Sequence, residues 1–335
     1  MYEPGYLYNQ DPPYAIQISA TEGCNLRCDF CGLNGIREPK NNDFKFLTLK
    51  LATKIATDIY SERWKSRIEF AGHGEPTKNP NLVAIIAQFR ELLPNNPLML
   101  TTNGSGFLGD TSEIIQRYFN AGLNTIALDQ YEGIPWADIV RKKLAETPLT
   151  DVDFHEYPSD KKGNPHQRSK RRRMIIISPI NLNTSGTHAD LNNHCGAGSP
   201  PSLRGRGKRC AKPFREIHIR WNGKIAICCN DWRGVLKMGD VGETSLSDIW
   251  QNEIFQAARK KLLHYDRGFD PCNICDAKSY RVGLLPDTMG KETLPRPSAK
   301  DEAILKAAAS GPSYTAPVKR PWELVNISKP KSLIE

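Results

Sequence analysis

Cys24-Asn25-Leu26-Arg27-Cys28-Asp29-Phe30-Cys31 is the stretch on which the reading of this chain turns. Its cysteines are spaced C-x3-C-x2-C, an aromatic stands just before the third, and a short alternating run, Tyr14 to Ser19, leads directly into it. The run predicts a strand. A loop this tight places three thiolates on one metal centre and supplies no fourth ligand. Iron–sulfur clusters are normally held by four cysteines, and a structural zinc site closes a tetrahedron in the same way. Three ligands therefore imply an iron with an open position. A zinc knuckle completed by a distant fourth ligand is the other reading of the same residues.

At 335 residues the chain can bury a core of barrel size with a small appendage. A hydrophobic content of 39% and a charged content of 25% belong to an ordinary globular protein. The opening MYEPGYLYNQDPPY is polar and proline-broken, so neither a signal peptide nor a membrane span is expected. The nine cysteines then belong in a reducing cytoplasm, where clustered cysteine means metal or redox chemistry rather than disulfides. A net charge of +9 favours a polyanionic partner or substrate, although scattered surface lysines give the same total.

Beyond the cysteine loop the periodicity alternates. Leu49 to Tyr60 predicts a helix capped by Thr48, with Ala52, Ile55, Ala56 and Ile59 on one face. Arg67 to Ala71 predicts a strand running into Gly72-His73-Gly74-Glu75-Pro76, and Leu82, Ile85, Ile86 and Phe89 mark the next helix. Leu98 to Thr102 is a strand ending at Thr102-Asn103-Gly104. A third helix, carrying Ile114, Ile115, Tyr118 and Phe119, is expected behind the caps Thr111 and Ser112, before a strand from Asn124 to Asp129. Trp136 to Glu146 reads as a helix, Val152 to Tyr157 and Met174 to Ser178 as strands. Strands alternating with helices mean a parallel sheet with right-handed crossovers. In such folds ligands gather at the carboxyl ends of the strands. The first four strands end at the cysteine loop, at the Gly72 to Pro76 segment, at Thr102-Asn103-Gly104 and at Asp129.

At the cysteine loop the chain resembles the radical S-adenosylmethionine (SAM) superfamily, whose C-x3-C-x-aromatic-C loop holds a [4Fe-4S] cluster with SAM chelating the open iron. The resemblance implies an α/β fold, an open partial (β/α)6 barrel over residues 1–180. It makes Cys24, Cys28 and Cys31 the metal ligands, and Phe30, Gly72, Gly74, Glu75, Thr102, Asn103 and Asp129 the cofactor-binding set. In that set the backbone carbonyls of the glycine-rich segment and its carboxylate meet the SAM amino group, and glycine lets the backbone approach a ligand closely. Ala127-Leu128-Asp129 departs from the Ser-x-Asp found in many relatives, so a serine contact to SAM is not carried over.

Pro158 to Arg173 holds the densest positive charge, with Lys161, Lys162, Arg168, Lys170, Arg171, Arg172 and Arg173. Such a run is either a solvated loop or a phosphate-binding patch, and Lys170, Arg171, Arg172 and Arg173 are the candidate substrate contacts. Residues 181–207 read as a linker rich in Asn, Gly, Ser and Pro, with Cys195 as a buried or free thiol. Glu216 to Arg220 and Lys224 to Cys229 alternate around Asn222-Gly223, a hairpin signal. Ser245 or Ser247 caps a helix carrying Ile249, Trp250, Ile254 and Phe255. The layout C-x12-G-x4-C from Cys210 to Cys228, followed by Cys272-x2-Cys275, resembles the auxiliary-cluster module called SPASM or twitch. It implies a second cluster on Cys210, Cys228, Cys272 and Cys275 within residues 208–285, as a small unit of a β-hairpin plus helix. The adjacent pair leaves Cys228 against Cys229 open, and a four-cysteine zinc site has the same layout. Residues 286–335 read as a tail with an Ala-rich helix near Asp301 to Ala309 and a docking segment Trp322 to Val325.

The resemblance implies reduction of the first cluster by a flavodoxin- or ferredoxin-type partner, homolytic cleavage of SAM to a 5′-deoxyadenosyl radical, and removal of a hydrogen atom from a substrate C–H bond. The auxiliary cluster then accepts an electron or anchors substrate, and a redox-neutral isomerisation or lyase step stays open. A barrel strand expected near Tyr14 would leave no room for the leader-peptide domain of peptide maturases, which weakens the ribosomal-peptide reading without excluding it. An anionic, phosphate-bearing nucleotide or nucleic-acid base is the favoured substrate class. A sugar or aminocyclitol, a ribosomal peptide, and a zinc-dependent nucleic-acid-binding protein without activity are the alternatives.

Overall fold

The computed structural model describes residues 12–28, 30–36, 44–131, 133–156, 173–180, 192–198, 210–277 and 296–309. Strand β1 (Ala15–Ile18) carries Ile16 and Ile18 into the core, and the short β2 (Thr21–Glu22) pairs antiparallel with β3 (Lys45–Phe46) around the cysteine loop. Helix α1 (Leu49–Ser61) starts where Thr48 Oγ1 accepts from Leu51 N, and buries Ala52, Ile55, Ala56 and Ile59, the face the spacing predicts. Full burial of isoleucines such as Ile55 and Ile59 is worth roughly 1.5–3 kcal/mol each, so the buried face together outweighs the cap at about 1 kcal/mol. The alternation continues through β4 (Arg67–Phe70), α2 (Leu82–Leu92), β5 (Leu98–Thr102), α3 (Thr111–Asn120), β6 (Thr125–Tyr131), α4 (Trp136–Glu146), β7 (Asp153–Glu156) and β8 (Met174–Ile180). Thr111 is the first residue of α3 rather than its cap. Its hydroxyl donates back to Phe107 O at 2.7 Å, and Asp110 occupies the cap position.

The six strands β1, β4, β5, β6, β8 and β7 are parallel, in that spatial order. The last two therefore exchange places relative to chain order: β8 lies between β6 and β7 and pairs with both. Its apolar run Met174-Ile175-Ile176-Ile177 suits a strand covered on both faces, whereas β7 alternates half-buried and exposed residues at the sheet edge.

On the other side of β1 the sheet continues. After the short helix α5 (Lys212–Arg215), β9 (Glu216–Ile219) runs parallel to β1 with Ala15 opposite Glu216 and Ile18 opposite Ile219. Strand β10 (Ile225–Ala226) then folds back on β9 through Gly223, whose φ of 86° requires glycine. The expected second hairpin strand is thus cut to two residues, and Cys228 and Cys229 follow it in a turn. The single helix expected after Ser245 is two. Helix α6 (Leu246–Gln251) ends at Asn252, whose extended backbone breaks the run and whose side chain accepts from Ile254 N and Phe255 N to start α7 (Glu253–Leu263). Helix α8 (Ala299–Ala308) begins with a Ser298–Asp301 capping box and ties back to α7 through Lys260–Asp301 and Lys261–Glu302, both 2.9 Å. Lys170, Arg171 and Arg172, and the Trp322 to Val325 segment, lie outside the described residues. Arg173 is described, its guanidinium 5.9 Å from the Phe119 ring centroid. No helix among the described residues is long and apolar enough to cross a membrane.

Candidate active site

The cysteine loop is built from local turns. Leu26 N donates to Cys24 Sγ at 3.3 Å, Cys31 N to Cys28 O at 3.1 Å, and Asn34 Nδ2 to Cys28 O at 2.7 Å, and these bonds shape the turn that carries the three cysteines. All three are partly exposed, unlike the core around them. The segment after β4 closes onto this loop. Gly23 N donates to His73 O at 3.3 Å and Glu75 N to Gly23 O at 2.9 Å, so Gly23 and Gly74 form a bridge. A Cβ on Gly74 would stand 2.4 Å from Gly23 O and 2.5 Å from Thr21 O, which explains the glycine.

Glu75, which the resemblance assigns to the SAM amino group, is only 2% exposed. Its carboxylate accepts from Thr77 N at 3.0 Å, Thr77 Oγ1 at 2.5 Å, Thr102 Oγ1 at 2.6 Å and Asn103 N at 2.9 Å. The two Thr77 bonds shape the β4 loop itself, and those from Thr102 and Asn103 bind it to the end of β5. Asn103 then reaches Cys24: its Nδ2 lies 3.6 Å from Cys24 Sγ and 3.3 Å from Asn25 Oδ1. Thr102, Asn103 and Glu75 are thus brought to the cysteine loop, as their position at strand ends implies.

Asp129 completes this end of the sheet. Burial pushes its carboxyl up to about 7, with Tyr131 pulling the other way and the charge of Glu75 adding to the rise. Tyr131 Oη donates to Asp129 Oδ2 at 3.2 Å, and its ring centroid lies 5.9 Å from that of Phe30. Burial first, then Asp129, Cys28 and Cys31, raise the Tyr131 phenol. Sequence reasoning passed over Tyr131, although two residues beyond Asp129 on the same strand it shares that residue's face.

A buried stack joins this site to the second cysteine group. His218 on β9 lies with Nε2 3.0 Å from Ser19 Oγ, and His73 N donates to the same hydroxyl at 3.2 Å. The His73 ring is 4.3 Å from His218 on one side and 4.3 Å from Trp232 on the other. Trp232 Nε1 donates to His194 Nδ1 at 3.1 Å. Burial holds these imidazoles neutral, driving His218 down to about 3 and His194 to about 4, and the Nδ1 atoms of His73 and His218 have no hydrogen-bond partner.

Cys210, Cys228, Cys272 and Cys275 occupy one neighbourhood: Cys210 and Cys275 each act electrostatically on the thiols of Cys228 and Cys272. Cys228 is 7% exposed within the core cluster, against which Cys210 and Cys272 pack. Cys229 turns the other way, its Sγ 3.3 Å from Lys212 Nζ, which also bridges to Glu216 at 3.1 Å. Cys195 joins the four rather than standing alone, packed against Cys275. Among the described residues no three His, Cys, Asp or Glu side chains converge tightly enough to hold a single metal ion. The fit to iron–sulfur clusters rests on donor chemistry: three thiols in an open loop, and a separate, largely buried all-thiol set.

The radical SAM superfamily matches residues 18–131, and an iron–sulfur cluster-binding domain (SPASM) matches residues 210–276. The S-adenosyl-L-methionine-dependent 2-deoxy-scyllo-inosamine dehydrogenase of Niallia circulans is 23% identical over 268 residues, 80% of this chain and 94% of that protein. GTP 3′,8-cyclase of Haemophilus influenzae (strain PittEE) is 32% identical over 100 residues, 30% of this chain and 29% of that protein. The crystal structure of BtrN in complex with AdoMet and 2-DOIA superposes with a TM-score of 0.60 at 21% identity, over 81% of this chain and 98% of that one. Cysteine loop, strand-end residues and second cysteine set coincide with the two matched regions, which together span more than half the residues. The chain belongs to the radical SAM superfamily and carries a C-terminal SPASM-type iron–sulfur cluster-binding domain.

Proposed function

We propose that this radical SAM enzyme is a dehydrogenase that removes two electrons from an alcohol carbon of a small polyhydroxylated substrate of the sugar or aminocyclitol class. When bound, SAM with a cluster on Cys24, Cys28 and Cys31 supplies a 5′-deoxyadenosyl radical for hydrogen-atom abstraction, and a cluster on Cys210, Cys228, Cys272 and Cys275 supplies a one-electron acceptor. The observation that carries the reading is the second set of thiols. Four cysteines are enough to occupy every corner of a four-iron cluster and leave no iron for substrate, which favours electron acceptance over substrate anchoring. Strand β9, which lies between Cys210 and Cys228 in the chain, pairs with β1 and so joins that segment to the barrel sheet.

The remaining requirement of alcohol oxidation is a place for the hydroxyl proton. Asp129, at the carboxyl end of β6 with its carboxyl up to about 7, takes it on Oδ1 or Oδ2, and Tyr131 orients that carboxylate. This makes Asp129 a proton acceptor where sequence reasoning has a SAM contact. Glu75 Oε1 accepts from Thr77 and Thr102 while Oε2 accepts only from Asn103 N, so Oε2 keeps a lone pair for the SAM amino group beside the backbone of Gly72 to Gly74. A flavodoxin- or ferredoxin-type protein in a reducing cytoplasm provides the electron that radical SAM enzymes require.

Similarity to the Niallia circulans dehydrogenase over nearly its whole length supports the substrate class. The run Lys170 to Arg173 and the similarity to GTP 3′,8-cyclase over 30% of this chain favour a second reading, a phosphate-bearing nucleotide. The test is turnover of the anaerobically reconstituted protein with SAM, a reductant and a panel of aminocyclitols and nucleotides. Deuterium at the oxidised carbon should appear in 5′-deoxyadenosine, with a keto product formed once per SAM cleaved. Deuterium transfer from a nucleotide instead, with every cyclitol inert, overturns the proposal.

A further inference from the structure

Cys195 has no part in the reading above, and Asn192-Asn193-His194-Cys195-Gly196 has no cluster-loop spacing to either cysteine group. In the fold it is 5% exposed and packs against Cys275 and Ala277. Cys228 is also near enough to act on it electrostatically. Cys195 therefore lies beside the thiols that the SPASM resemblance groups as four.

The turn that carries Cys195 is held from several sides. Fully buried Asn193 clamps the other cysteine segment: its N donates to Asp276 Oδ1 at 2.7 Å, its Nδ2 to Ile274 O at 2.7 Å, and its Oδ1 accepts from Asp276 N at 3.3 Å. His194 and Cys195 both adopt left-handed backbone, with φ of 47° and 51°. For residues with a Cβ this conformation costs roughly 1 kcal/mol or more each and persists only where surrounding contacts enforce it. Arg233 contributes one such contact, donating to Gly196 O at 3.1 Å.

Simple core packing would account for a buried thiol among apolar neighbours, but the pocket is not apolar. Asp231, fully buried, leaves Oδ2 without a hydrogen-bond partner, and its charge acts on both Cys195 and Cys272. A polar group of this kind beside Cys195 and Cys272 marks these surroundings as unlike an ordinary apolar core.

A four-iron cluster offers one corner to each of four thiolates, and here a fifth thiol touches one of the four. We propose that Cys195 is a reserve ligand of the auxiliary cluster, sharing with Cys275 the single corner at which the two side chains meet. Either thiolate closes the coordination, so the cluster has two alternative ligand sets. Cys210, Cys228 and Cys272 belong to both. The turn bearing Cys195 also packs on the SAM-cluster loop: a Cβ on Gly198 would lie 2.4 Å from Phe30 O, and one on Gly35 2.7 Å from Ala197 O. Ligand choice at this corner is thereby in mechanical contact with the loop of Cys24, Cys28 and Cys31. The proposal rests on the auxiliary-cluster reading above.

The test uses the full chain with Cys24, Cys28 and Cys31 changed to Ala, so that all iron reports the second site. That background should hold about four irons per chain after anaerobic reconstitution. Adding Cys275→Ala or Cys195→Ala alone should leave about four irons, with a shifted electron paramagnetic resonance spectrum for Cys275→Ala as the replacement thiolate binds. Adding both should remove most of the iron or leave a three-iron signal, and Cys272→Ala should do so although Cys195 is present. Circular dichroism melts check folding, with Cys275→Ser replacing an Ala variant that does not fold. If Cys275→Ala loses as much iron as the double variant, or the double variant keeps its iron, Cys195 is no ligand. If Cys195→Ala alone loses the cluster, Cys195 is obligatory rather than in reserve. A background without iron overturns the auxiliary-cluster reading itself, an outcome distinct from the others.

Discussion

Changing Gly74 to Ala tests how the SAM-binding segment is held against the cysteine loop. The added Cβ would lie 2.4 Å from Gly23 O, 2.5 Å from Thr21 O and 2.8 Å from Gly23 N. All three are backbone atoms, so no side chain can swing aside to make room. The loop must separate from β2, breaking the Gly23 N to His73 O and Glu75 N to Gly23 O bonds. Two lost backbone bonds at about 1 kcal/mol each, with overpacking strain of about 1–3 kcal/mol, give a destabilisation of about 3–5 kcal/mol. Gly23 precedes Cys24 directly, so the same displacement moves the first thiol away from Asn103. Urea unfolding of the chain, read with SAM binding by equilibrium dialysis, checks both consequences. A variant with wild-type stability and wild-type SAM affinity would refute the close approach of these two backbones as the basis of the site.

Three further outcomes follow from particular side chains. The Asp129 carboxyl, at about 7 in the fold against an ordinary 3.8, binds more protons folded than unfolded between those values, so stability falls as pH rises from about 4 to about 7. Asp129→Asn should flatten that slope, melt higher than wild type at pH 8 and lose most turnover; an unchanged pH profile of the melting temperature would contradict the buried carboxyl. Cys228→Ala should lower auxiliary iron several-fold and Cys229→Ala should leave it intact, since Cys229 faces Lys212; iron analysis showing the reverse would exchange their roles. If Lys170 to Arg173 contact substrate phosphates, changing Arg171, Arg172 and Arg173 to Gln should weaken nucleotide binding and flatten its salt dependence, whereas unchanged affinity leaves that stretch as a solvated loop.

Much of the barrel was legible because its signals are local. The face of α1 follows from residues three and four apart, the cap at Thr48 from one hydroxyl, and the carboxyl-end placement of Gly72, Glu75, Thr102, Asn103 and Asp129 from strand alternation alone. The exchange of β7 and β8 was not legible from chain order, because either strand presents the same backbone donors and acceptors to β6; the apolar run of β8 against the polar alternation of β7 decides which is covered. The Asn222-Gly223 turn announced its hairpin but not that β9 would extend the sheet at β1, a pairing fixed by packing some 200 residues apart. The split at Asn252 was missed because the apolar residues on both sides keep a helical spacing, while the Asn side chain competes for the next two amides. Cys195 carried no spacing signal; only the clamp between Asn193 and residues 274–276 brings it to the other thiols.

The most direct measurement of the central claim is 5′-deoxyadenosine formation from SAM under dithionite by the anaerobically reconstituted chain and by its Cys24→Ala, Cys28→Ala and Cys31→Ala variants. The wild-type chain should hold about eight irons and release 5′-deoxyadenosine with methionine, and each variant should lose that cleavage entirely. Undiminished cleavage by any of the three variants, or a colourless wild-type protein that binds zinc and leaves SAM intact, would contradict it.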